Sequence, residues 1–179
     1  MDLRKQKTRQ AIRQAFLQMR KEKNLEQITV KELSELAQVS KATFYLHYRD
    51  IYDLSEQLQQ EAIQKVLSYV KSPLAILEDR SQFSREMAFA LEKEDAVISA
   101  LFAGAQASAL PISLEKQIKN CIFAEYPQLK DDARLNVQLS YHIQGGYYAY
   151  MENVRALGKK RVQELIDQIH GQMPIVIGK

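Results

Sequence analysis

The chain has 179 residues, 46% hydrophobic and 26% charged, and its 25 Lys+Arg against 22 Asp+Glu leave a formal charge of +3. That composition excludes intrinsic disorder, and a single cysteine, Cys121, excludes a disulfide scaffold. Gly and Pro total only ten residues, none before Pro73; hairpins need such turn residues, so an all-α fold is expected.

The charge is unevenly spread. Residues 1–49 carry 11 Lys+Arg and 5 Asp+Glu, a net of +6, whereas residues 50–179 carry a net of −3. A basic head on a mildly acidic body points to a polyanionic partner. A solvated lysine-rich helical surface is the other reading of the charge alone.

In chain order, Leu3 to Lys23 reads as a helix with an apolar stripe of Ile12, Ala15, Phe16 and Met19. Thr29 with Glu32 three residues on is a capping box, so a second helix starts at Val30, with Val30, Leu33, Leu36 and Ala37 as its inner face. Ser40 is another N-cap and opens a segment from Lys41 to about Tyr48. Asp50, with Asp53 three on, starts a long fourth helix to about Lys71. Pro73 closes this part.

The helices Val30–Ala37 and Lys41–Tyr48 are separated by about three residues, too few for an antiparallel pair. Such a join sets them near a right angle, as in a helix-turn-helix, whose second helix enters the major groove. Lys41 and Thr43 lie in its first turn, Tyr45 and His47 can donate to phosphate oxygens, and Thr29 and Ser40 place two helix N-termini for anion contact. Phe44 and Leu46 are expected to pack inward. A purely structural corner, or a protein-docking helix pair, is the competing reading.

The stretch from about Thr8 to Leu54, with ITVKELSELAQVSKATFYLHYRDIYDL as its core, resembles the TetR family of bacterial transcriptional regulators. The family's hydroxyl N-cap, A-x-V-S turn and T-[FL]-Y-x-[YH]-aromatic pattern match Thr29, Ala37 to Ser40, Thr43 to Tyr45, and His47-Tyr48. The resemblance implies that Thr29, Ser40, Lys41, Ala42, Thr43, Tyr45 and His47 lie at the DNA surface. Two positions depart from the family. Gln38 stands where Gly is common, so a non-glycine residue must take the left-handed turn geometry. Ile51 stands where the family often has a phosphate-binding Lys, so that contact is either missing or supplied by Arg49 and the basic first helix.

After Pro73 the sequence reads as a separate helical body of five helices: Ser81–Glu92, Asp95 to about Gln106, Pro111–Glu125, Asp131 to about Ala156, and Gly158 to about Gly171. The expected organisation is a head over residues 1–50, a connecting fourth helix over 51–72, and a regulatory and dimerisation body over 73–179. The uncharged stretches Ala96–Leu114 and Leu135–Met151 hold too many polar residues for membrane spans.

The helix Asp131–Ala156 has Val137, Tyr141, Gly145 and Tyr148 along one face, and Gly145 with Ala149 is a small–small spacing that admits a close neighbour. Val162, Leu165, Ile166 and Ile169 stripe the next helix. These two helices either complete the protomer core or pair with their symmetry mates. The family resemblance implies the second, a homodimer with Val137, Tyr141, Gly145, Tyr148, Ala149, Val162, Leu165 and Ile169 at its interface.

Catalysis finds little support. His47, His142 and His170 are far apart in sequence, and Gly-rich phosphate loops, metal-ligand spacings and nucleophile elbows are missing. No metal or cofactor is expected. Cys121, beside Ile122 and Phe123, reads as a small core residue, with a redox-sensor role as the alternative. Phe83, Met87, Phe89, Phe102, Phe123, Tyr141 and His142 either line an effector cavity or form plain core, and no residue identifies the effector.

The sequence thus reads as a homodimeric, cytoplasmic, double-stranded-DNA-binding regulator acting on a palindromic operator. An effector-responsive repressor is the default and an activator or co-regulator working with a protein partner the alternative. A helical adaptor or enzyme is the rival class.

Overall fold

A computed structural model describes residues 3–176, and every regular element among them is helical. The α-helices are α1 (Leu3–Arg20), α2 (Val30–Leu36), α3 (Lys41–Tyr45), α4 (Ile51–Leu67), α5 (Ala75–Glu78), α6 (Arg80–Lys93), α7 (Asp95–Leu101), α8 (Ala109–Glu125), α9 (Ala133–Leu157) and α10 (Lys159–Gln172). Short 3-10 turns at Leu25–Gln27, Gly104–Gln106 and Pro127–Leu129 link some of them.

Local chemistry sets most helix starts. Asp50 accepts the Asp53 amide at 2.8 Å while Asp53 accepts the Arg49 amide at 2.8 Å, a reciprocal cap on α4. Asp79 and Asp132 each accept an amide at 2.9 Å, from Gln82 and Leu135, and so start α6 and α9. Gly158 stands between α9 and α10 at φ 77°, a left-handed conformation that costs glycine little.

The helices gather into two compact units. The first holds residues 3–62 together with 95–107. Its core is Ile12, Phe16, Leu33, Phe44, Leu54 and Leu58, each 2% exposed or less. Residues 95–107, read from the sequence as part of the body, pack in this unit for three reasons. Ile98 and Leu101 of α7 are buried, and α7 packs on α1. The buried Arg20 donates to the carbonyls of Lys23 at 2.9 Å and Ala103 at 3.2 Å. Gln59 of α4 donates to the Leu101 carbonyl at 3.1 Å. Gly104 suits this turn, because at φ 62° a side chain is strained and a Cβ would lie 2.9 Å from Asn24 Oδ1.

The second unit holds residues 63–94 and 108–176. Leu114, Ile118 and Ile122 of α8 and Leu135, Leu139 and Ile143 of α9 recur at helical spacing and are buried. Each such side chain contributes about 1.5–3 kcal/mol of burial. α9 packs on α8 and α10, and α10 packs on α6. Polar ties close the seams: the Tyr150 hydroxyl donates to Glu92 at 2.9 Å, and Lys159 reaches the same carboxylate at 2.9 Å.

Several helices are shorter than the sequence implies. α1 stops at Arg20, α3 at Tyr45, α4 at Leu67 and α7 at Leu101, and α5 adds a turn that the sequence reading lacks. Ala103 in extended conformation and Gly104 at positive φ end the second of the expected body helices early. The uncharged run Ala96–Leu114 is accordingly broken into three elements. No single helix among the described residues is long and apolar enough to cross a membrane.

Candidate nucleic-acid interface

The α2–α3 corner is built from two capped starts and one strained turn. Thr29 Oγ1 accepts the Glu32 amide at 3.2 Å, and the Glu32 carboxylate accepts from the Thr29 hydroxyl at 3.0 Å and its amide at 3.4 Å. Lys23 donates to Glu32 at 3.0 Å and, with help from Thr29, holds its carboxyl below the usual range. The start of α2 therefore carries a neutralised carboxylate, and the Thr29 hydroxyl is already engaged by the cap. Ser40 Oγ accepts the Thr43 amide at 3.0 Å and lies 2.8 Å from the Thr43 hydroxyl, which starts α3.

Between them, Gln38 takes φ 54°, the single positive value among the described non-glycine residues. Val39 N–H donates to the Ser34 carbonyl at 3.0 Å and closes the turn. The left-handed conformation costs a side-chain-bearing residue about 1–2 kcal/mol. Gln38 thus takes the left-handed geometry expected of it.

Phe44 and Tyr48 are buried and lie 5.6 Å apart between ring centroids, anchoring α3 to the core. Arg9 of α1 hydrogen-bonds Tyr48, and this contact raises its guanidinium above the ordinary value. Arg9 and Arg13 also pair with Glu61 at 3.5 and 2.5 Å, so part of the basic charge of α1 is spent on α4. Ile51 is buried and packs in the core.

Of the seven residues expected at the DNA surface, Thr29, Ser40, Lys41, Ala42 and Tyr45 are exposed, and Thr43 and His47 are half-buried. Tyr45 is 57% exposed, its ring edge-on to Phe44 at 5.5 Å. Leu46 corrects the sequence reading. It was expected to pack inward with Phe44 but is 81% exposed. Residues two apart on a helix sit about 200° around its axis, so Phe44 and Leu46 cannot share a face. Leu36, placed on the inner face of its helix, is likewise exposed. The outer surface of α3 is thus Ser40, Lys41, Ala42, Tyr45 and Leu46, followed by Arg49, and no acidic residue lies between Glu35 and Asp50.

On α9, Val137 (69%), Tyr141 (54%), Gly145 and Tyr148 are exposed and Ala149 is half-buried. A Cβ on Gly145 would meet nothing within 4 Å, so packing inside the chain does not require a glycine there. On α10, Ile169 is exposed and Leu165 half-buried. Val162, expected on the interface, is instead buried with Tyr150 and Ile166, because the stripe on α10 faces its own unit.

The second unit contains a cavity. Phe83, Met87 and His142 line it as anticipated. Phe89 and Tyr141 are exposed, Phe102 belongs to the first unit, and Phe123 lines a separate open groove. His142 and His170, distant in sequence, meet here with ring centroids 5.5 Å apart. Burial, then the nearby His170 and Arg80, push the His142 imidazole down to about 4. Burial and Arg80 lower His170 too. Cys121 is exposed, contrary to its reading as a core residue. No metal-binding cluster occurs among the described residues.

No protein-family model, no curated protein and no solved structure matches this chain.

Proposed function

We propose that the protein is a sequence-specific DNA-binding transcriptional regulator, an effector-responsive repressor of the TetR kind, acting as a homodimer on a palindromic operator. The observation that carries this reading is the outer surface of α3: a cation, two hydroxyl groups and two apolar side chains on a short capped helix, with no carboxylate between Glu35 and Asp50. The α2–α3 corner is the helix-turn-helix. Lys41 and Arg49 meet phosphates, as does Tyr45, while Ala42, Thr43 and Leu46 reach base edges. Leu46 suits a thymine methyl, the apolar feature of the major groove. His47, half-buried, donates at the edge of the contact. Thr29 holds the start of α2 beside the backbone through its amide-rich first turn.

The exposed stripe of Val137, Tyr141, Gly145, Tyr148 and Ile169 forms the dimer face, with Leu165 and Ala149 at its margin. An open apolar row flanking an unfilled glycine lets a second helix approach closely. Two heads related by a two-fold axis then meet half-sites about one helical turn apart. α4 runs covalently from one unit into the other, so a rearrangement of the second unit is conveyed along it to the heads.

The test is an electrophoretic mobility shift on DNA upstream of the protein's own gene, repeated at several salt concentrations. A specific shift that weakens with salt is expected. Equal affinity for the wild type and a variant with Lys41, Thr43 and Tyr45 all changed to Ala would refute the assignment of α3.

A further inference from the structure

The cavity of the second unit is walled by Phe83 and Met87 of α6, Leu114 and Ile118 of α8, and Ile143 of α9, with Arg80, His142 and His170 as a polar cluster. Its enclosed part is small, about 50 Å³, and continues into a solvent-open mouth. It is therefore narrow, suited to an extended chain or a flat ring.

Its polar groups are arranged for an anion. Arg80 donates through one terminal nitrogen to the His170 carbonyl at 3.1 Å, but its Nε is buried without a partner. His170 is 8% exposed, and its Nδ1 is likewise buried and unpartnered. Among the described residues no Asp or Glu lines the cavity and no ion pair engages Arg80. Asp167, the carboxylate whose charge reaches His170, is itself engaged by Arg85 at 2.8 Å and Gln163 at 3.0 Å. A half-buried guanidinium whose Nε has no partner and a buried imidazole with an open position, beside an apolar slot, lack a negatively charged acceptor.

We propose that this cavity binds a small apolar carboxylate, its chain or ring between Phe83, Met87, Leu114 and Ile118 and its carboxylate against Arg80 and His170. Binding stands on the geometry of the cavity alone. The ligand's role as the effector rests on the DNA-binding reading above.

Isothermal titration calorimetry of the full chain without DNA tests it, with decanoate and phenylbutyrate as acids and decanol as the neutral match. Saturable one-to-one binding of at least one acid is expected, with decanoate at least tenfold tighter than decanol if it is the acid that binds. Arg80→Gln is expected to weaken acid binding at least tenfold and to leave decanol unchanged. The His170 ring resonances of the unaltered protein are expected to shift with the bound acid, a readout that survives if Arg80→Gln fails to fold. Saturation by neither acid, equal affinity for decanoate and decanol, or an unmoved His170 signal would each overturn the proposal. Because no DNA is present, failure here leaves the regulator reading intact, and a failed mobility shift leaves the binding result standing.

Discussion

Acid should destabilise the second unit through His142. In the folded chain its imidazole, 8% exposed and facing His170 and Arg80, is held down to about 4, against an ordinary 6.5. Between those two values the unfolded chain binds a proton that the folded chain does not, so stability is full above about pH 6.5 and falls as pH drops toward 4. With about 1.4 kcal/mol for each pH decade of separation, the loss is about 2 kcal/mol by pH 5 and about 3 kcal/mol by pH 4. His170 is lowered by the same burial and contributes with the same sign. The assay is urea unfolding followed by circular dichroism at pH 7, 6 and 5, on wild type and His142→Gln. Wild type should lose about 2 kcal/mol more than His142→Gln between pH 7 and 5. Parallel losses in the two proteins would show that His142 titrates freely in the folded chain and would refute the argument.

Lys41→Ala should weaken binding to all DNA sequences alike and reduce the slope of log affinity against log salt by about 1, measured by mobility shift. Leu46→Ala should instead relax discrimination at one operator position by about 1 kcal/mol, read from a panel of single-base operator variants. Gln38→Gly removes a left-handed strain of about 1–2 kcal/mol and adds about 0.5–1 kcal/mol of unfolded-chain entropy, so a net gain of about 0.5–1 kcal/mol is expected in denaturant unfolding. Tyr141→Glu lies on an exposed site and should change protomer stability by about 0.5 kcal/mol at most, while sedimentation shifts from dimer to monomer. A wild-type monomer at micromolar concentration would refute the dimer face outright.

The α2–α3 corner shows how far local sequence carries. Its starts are interactions across three residues, Thr29 with Glu32 and Ser40 with Thr43, and a short polar side chain in that register has few other uses. Its exposed side was less legible. α3 is only five residues long, and the apolar character of Leu46 points inward while its position, two residues from the buried Phe44, turns it outward. The cavity was less legible still. Phe83 and Met87 share a helix and could be read together, but the polar cluster joins Arg80, His142 and His170 from three helices.

What the sequence by itself determined is the all-helical class, the absence of Gly and Pro before Pro73, and the capped starts, because these depend on residues within one helical turn of each other. The basic balance of residues 1–49 also belongs to it, as a plain count. Only the tertiary structure decided that Arg9 and Arg13 are paired with Glu61, that residues 95–107 pack with the first unit, and that Val162 faces inward. The physical reason is common to all three. Each outcome is set by partners between about 12 and 80 residues away along the chain, and no local period or cap encodes which distant helix will cover a given face.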